Sequence, residues 1–277
     1  MAKAKAPVAR KPRPVVSAAT FKGAGKPLTQ VQLRQTAALL GVELPALWAV
    51  MTVETKGCGF LMDRRPQILF ERHVFRTRTG GKFDRAHPDL SNRVAGGYGA
   101  TGANQYDRLV RAIALNRAAA LESTSWGLGQ VMGFNAVSTG FADVEAMVSA
   151  MSDSEDAQFG AMIAFINETD IAGYLKQGDW RSFAAAYNGP AFKKNQYDTK
   201  LSQASARFKV GPLPSVDIRA AQLYLTYLGY ATGGVDGWFG KQTQNALIKF
   251  QKGKQAQQTG ELDEQTLAAL RQAASIA

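Results

Sequence analysis

Glu54 closes an apolar run, Trp48-Ala-Val-Met-Thr-Val-Glu54, and the turn Gly57-Cys58-Gly59 follows at once. Apolar surroundings solvate the ionised form of a carboxyl group poorly, so its pKa rises. A carboxyl that keeps its proton near neutral pH can serve as a general acid. The competing reading is a helix-end glutamate in a solvated turn. Such an acid works with a second carboxylate or a held water, and two carboxylates follow: Asp63 in the polar turn Asp63-Arg-Arg-Pro66, and Glu71 beside His73. Glu71 has a structural alternative, an ion pair with Arg65 or Arg72 or a bond that holds the Glu54 loop. His73, alone among apolar residues, reads as structural. Further on, Ser125-Trp126-Gly127-Leu128-Gly129-Gln130 gathers a hydroxyl, an indole and an amide around two glycines. Glycine lets the backbone pass close to a ligand or to another strand. Tyr187-Asn188 ends a helical pattern at Gly189-Pro190.

The elements that must position these groups read as mostly helical. Thr29 is a plausible N-cap for a helix through Val31, Leu33, Ala37 and Leu40, closed by Gly41. Pro45 sits in the first turn of the next helix. On it Leu47, Trp48 and Met51 form an apolar face, and Glu54 follows Met51 by one turn on the same side. Residues 67–75 read as a short strand or extended segment. Residues 76–104 read as a long Gly-rich loop, either a cover for substrate or a surface insertion. Helical patterns return at 106–121, 143–151, 154–167, from Asp179 to Asn188, and at 191–208. Phe159, Ile163 and Ile166 are core positions. Lys209-Val-Gly-Pro-Leu-Pro214 is a linker by composition. Residues 215–277 form helix, turn, helix, turn, helix, and three helices on one core is the simplest solution for so small a unit. The fold expectation is therefore mainly α: an α-rich domain over 27–208 with possible short strands, and a small three-helix domain over 215–277.

Composition narrows the function classes. The chain has 277 residues and a net charge of +11. The first 26 residues hold seven bases and no acid, so most of the excess is a basic tail, expected to be disordered. That placement counts against specific nucleic-acid binding by the body of the protein, and leaves attraction of the tail to an anionic envelope polymer as its functional alternative. One cysteine excludes an intrachain disulfide, and with two histidines it makes a structural zinc site improbable. No metal or cofactor is expected. No stretch is apolar enough for a membrane span, and the N-terminus lacks the apolar core of a secretory signal.

Three motifs stand in order: Glu54-Thr, Gly127-Leu-Gly-Gln130 and Ala186-Tyr-Asn188-Gly. Together they resemble motifs of goose-type lysozymes and soluble lytic transglycosylases. The wider pattern adds Gly57-x-Gly-Phe60, Ile68-Leu-Phe-Glu71-Arg-His73-Val-Phe75, Ser125 to Asn135 and Ala186 to Pro190. It is similar to the N-acetylmuramidase domain of phage endolysins over residues 28–208. Residues 215–272, with Asp236-Gly-Trp-Phe-Gly240, Phe250-Gln251, Thr259-Gly260 and Leu262-Asp263, resemble the type 1 peptidoglycan-binding domain.

These resemblances imply a lysozyme-like fold and cleavage of the β-1,4 bond between N-acetylmuramic acid and N-acetylglucosamine, with peptidoglycan as partner. They imply Glu54 as the acid, with Glu71 or Asp63 as base or electrostatic partner. Gln130, Tyr187 and Asn188 would line the cleft, with Ser125 beside them. Trp126 could stack on a sugar but reads more readily as a buried structural indole, and Tyr187 has a core reading as well. In the C-terminal unit Asp236, Trp238, Phe239 and Gln251 would line a groove for the wall polymer. A monomer made in the host cytoplasm, released by a holin and acting in the periplasm follows from the same resemblance. The alternatives are a lytic transglycosylase and a wall-binding protein without catalysis.

Overall fold

A computed structural model describes residues 21–55, 57–169 and 171–275. It is mainly helical, with one small three-stranded sheet. Helix α1 (Gln30–Leu40) begins where the Thr29 side chain accepts from Gln32 N–H, and stops at Gly41 in the left-handed region. Helix α2 (Leu44–Glu54) carries Pro45 in its first turn and buries every residue from Ala46 to Met51. It is the central helix of the larger body, and α10 (Tyr197–Val210) packs along it. Among the described residues no single helix is long and apolar enough to cross a membrane; α1 and α2 together have the length but meet at 110°.

The segment read as extended over 67–75 is divided. Only Ile68–Phe70 is strand β1, and α3 (Arg72–Arg78) starts directly after Glu71. Turns connect α3 to α4 (Asn104–Leu115), which is followed by α5 (Arg117–Glu122), so the single helix expected over 106–121 is broken at Asn116, the N-cap of α5. Strands β2 (Thr124–Trp126) and β3 (Val131–Met132) form a hairpin, and β1 pairs antiparallel with β2, Ile68 opposite Trp126 and Phe70 opposite Thr124. Helices α6 (Val144–Asp153), α7 (Glu155–Glu168), α8 (Ala172–Gln177) and α9 (Trp180–Asn188) complete the body. Asp143, Ser154 and Asp179 cap α6, α7 and α9, which is why these starts follow the sequence closely.

The last unit is α11 (Val216–Tyr227), α12 (Lys241–Gly253) and α13 (Glu264–Ala273). Ala221, Leu225, Leu247, Phe250 and Leu270 form its own small core. The expected disorder of the basic tail fails at residues 21–26. Phe21 is buried between Tyr106 and Trp126, and Lys26 bridges to Ser154, because an aromatic side chain at the tail's end has a pocket to fill. Residues 1–20 lie outside the described residues.

Candidate active site

Glu54 is the last residue of α2, where the helix dipole is negative and an ionised carboxylate is disfavoured. Burial raises its pKa from 4.5 to about 7, against a smaller opposing effect from Asn188. Asn188 Nδ2 donates to Glu54 Oε1 at 2.9 Å. That bond makes Oε1 the acceptor oxygen, so the acid's proton belongs on Oε2. The two residues are 134 apart in sequence and meet because α9 ends against α2's last turn. One residue earlier, Tyr187 stacks on Phe183, and its hydroxyl donates to Gly129 O at 3.2 Å. Burial and the nearby Glu54 charge both raise the Tyr187 pKa, so the phenol stays protonated. Adjacent residues of α9 thus fix the acid and the hairpin turn to one another.

The hairpin turn and the loop after Glu54 share a further support that the sequence reading passed over. Gln158, fully buried on α7, accepts from Leu128 N–H at 2.8 Å and donates to Met151 O at 2.7 Å. Both loops press on this amide. A Cβ on Gly59 would lie 1.6 Å from Gln158 Oε1, and one on Gly127, which has φ of 67°, would lie 2.5 Å from Gln158 Cδ. The close approach expected of the glycine pair at 127 and 129 is therefore made, at Gly127, to a side chain of the protein itself.

Several expected site residues have other duties. Trp126 is fully buried and donates its indole N–H to Leu121 O at 3.1 Å, so it cannot stack on a sugar. Ser125 Oγ donates to Gln130 Oε1 at 3.0 Å, and Gln130 Nε2 donates to Gln67 O and Gly127 O. Gln130 itself adopts a φ of 49°. Its amide closes the hairpin rather than pointing free into a cleft. Asp63 forms an ion pair with Arg65 inside its own turn, at 2.7 Å. That pairing gives it a role within the turn.

Glu71 sits at the end of β1 away from the hairpin turn: Gln67 O accepts from Gly127 N–H at one end, and Glu71 N–H donates to Ser123 O at the other. Tyr98 donates to its Oε1 at 3.0 Å, and His73 Nδ1 lies 3.1 Å from Oε2. Both of these facing atoms are buried. No neighbouring carboxylate contributes to the raised pKa of Glu54. Tyr98 and Gln105, which pin the 94–101 loop, were hidden in a stretch that reads as featureless loop and helix start.

In the C-terminal unit Trp238 is half-buried. It stacks on Phe208 of α10, ring centres 6.4 Å apart, with the Arg207 guanidinium over its face. An indole in a Gly-rich turn was free to pack on a neighbouring domain, and it does. Gln251 is buried and bonds Gly260 N–H and Thr259, holding a turn. Asp236 Oδ1 accepts from Gln222 Nε2 of α11 and from Trp238 N–H in its own turn. Phe239 alone of the four presents an exposed aromatic face. Among the described residues no group of three His, Cys, Asp or Glu could hold a metal.

Residues 43–209 match the N-acetylmuramidase family model. Residues 214–270 match a model described as "Putative peptidoglycan binding domain". A search of curated proteins finds no match. Among solved structures, a crystal structure of the Burkholderia AP3 phage endolysin is similar at 41% identity and a TM-score of 0.64, over 66% of this chain and 72% of that one. The chain belongs to the N-acetylmuramidase family and carries a peptidoglycan-binding domain behind it, the architecture of a peptidoglycan-degrading endolysin.

Proposed function

We propose that the protein cleaves the β-1,4 bond between N-acetylmuramic acid and N-acetylglucosamine, with Glu54 as the general acid, and so lyses a host cell from the periplasmic side. The observation that carries this is a carboxyl at the margin of the core, raised to about 7, with one oxygen already held by Asn188. Protonated Oε2 would give its proton to the leaving glycosidic oxygen as positive charge builds on the sugar ring. In the hydrolytic reading a water then attacks the sugar's anomeric carbon. Glu71 is the proposed base for that water on its place in the motif Ile68-Leu-Phe-Glu71-Arg-His73 alone. Phe239 is the proposed contact of the C-terminal domain with the wall polymer.

The test is clearing of permeabilised Gram-negative cells by wild type and by Glu54→Gln. Clearing that survives the substitution rejects Glu54 as the acid. A second reading is intramolecular attack by the muramic acid 6-hydroxyl, as in lytic transglycosylases. It is favoured by the absence, among the described residues, of a carboxylate in contact with Glu54. Mass spectrometry of the released muropeptides separates the two, since only the second leaves anhydro ends.

A further inference from the structure

The loop that leaves Glu54 is held from the C-terminal domain. Glu155, the first residue of α7, is fully buried, and its oxygens accept from Gly59 N–H at 2.9 Å and Leu28 N–H at 3.0 Å. Its charge is met by Arg219 of α11, also buried, which bonds both carboxylate oxygens and donates to Gly57 O at 2.6 Å. A buried carboxylate is tolerated only with such a partner, so the domain that supplies Arg219 is required where Glu155 stands. Leu223 packs with Phe60 and Val235 in a separate apolar cluster, with Cys58 and Tyr227 at its edge. Tyr227 donates its hydroxyl to Gly25 O at 2.8 Å.

Arg219, Leu223 and Tyr227 are spaced four apart and form one stripe of α11, while Ala220, Ala221, Tyr224 and Leu225 on the adjoining faces fill the domain's own core. This face of the binding domain's first helix therefore meets Gly57 and Phe60, three and six positions beyond Glu54, and also Glu155 and Gly25.

We infer that the peptidoglycan-binding domain braces the loop that leaves the acid as well as anchoring the enzyme, and that Arg219 is a positioning residue for the Glu54 loop. This rests on the reading of Glu54 as the acid. A domain acting only as a tether would change how tightly the enzyme holds the wall. A domain that sets the acid's loop changes turnover on bound substrate, where displacement of a reacting group by about 1 Å can cost on the order of a hundredfold.

The test is kinetics of full-length Arg219→Lys on soluble, peptide-free glycan strands, with binding to intact sacculi measured in parallel. Lysine keeps a charge for Glu155 but cannot reach both its oxygens and Gly57 O. Expected is a fall in kcat on the order of tenfold or more, with KM and sacculus binding within about twofold of wild type. Leu223→Ala leaves the ion pair in place and should lower kcat in the same direction, and Leu223→Met should restore it. If Arg219→Lys does not fold, the Leu223 pair decides. Unchanged kcat in folded variants, or losses confined to KM and sacculus binding, overturns the inference. Glu54→Gln run alongside separates the two readings: activity that survives it rejects the assignment of the acid, whatever Arg219 does.

Discussion

Replacing Glu54 with Gln should stabilise the protein, and only at neutral and alkaline pH. In the folded chain the carboxyl gives up its proton near 7, against 4.5 for a solvated glutamate. Between those values the native state holds a proton that the unfolded chain has released, so native stability falls as pH climbs through the window. Once Glu54 is fully ionised, above about pH 8, the accumulated cost is about 3 kcal/mol at most, less whatever its partial exposure recovers. Glutamine carries no charge, and its Oε1 still accepts from Asn188. The variant should therefore match wild type near pH 4 and melt roughly 5–10 °C higher at pH 8, at about 2–4 °C per kcal/mol for a chain of this size. Thermal melts of both proteins at the two pH values measure this directly. A difference in Tm that is the same at pH 4 and pH 8 would refute the argument that burial holds the proton on Glu54.

Wall clearing by the wild type should decline as pH rises through about 7, because the acid form is the active one. Asn188→Leu removes a bond that favours the ionised carboxyl while keeping water out, so the alkaline limb of kcat/KM should move upward; a downward move contradicts the assigned role. Glu71→Gln should lower kcat about a hundredfold with sacculus binding unchanged. Activity within threefold of wild type would leave the attacking water without a protein base and shift the reading to intramolecular attack. Gly59→Ala should destabilise the fold by about 1–3 kcal/mol, since its Cβ meets Gln158 Oε1 at 1.6 Å, and an unchanged Tm would show that Gln158 can yield.

Much of the framework was legible because helix starts and stops are written locally. Thr29, Asp179 and Asp263 each cap a helix with a side chain that accepts from an N–H three residues on, and Gly41 ends one with a backbone other residues adopt poorly. Glu54 could be singled out for a related reason, since an apolar helix ending in a carboxylate is visible as a string. The three-helix C-terminal unit was equally plain from its spacing.

What the tertiary structure decided was how each group's bonding capacity is used. Nothing in the sequence of Gln130 or Ser125 says that their polar atoms close a hairpin, and nothing in Trp126 tells a sugar platform from a core indole. Glu155 follows an N-cap serine and reads as an ordinary first-turn acid, yet its partners come from Leu28, Gly59 and Arg219, the last 64 residues away. Helix α11 shows the limit most clearly. Its apolar residues announce a helix, but one face serves its own core and another serves the loop of a different domain. Local interactions within one turn fix where a helix begins and ends. Which neighbour takes up its faces, and so whether Asn188 reaches Glu54 across 134 residues, is settled only when the whole chain packs.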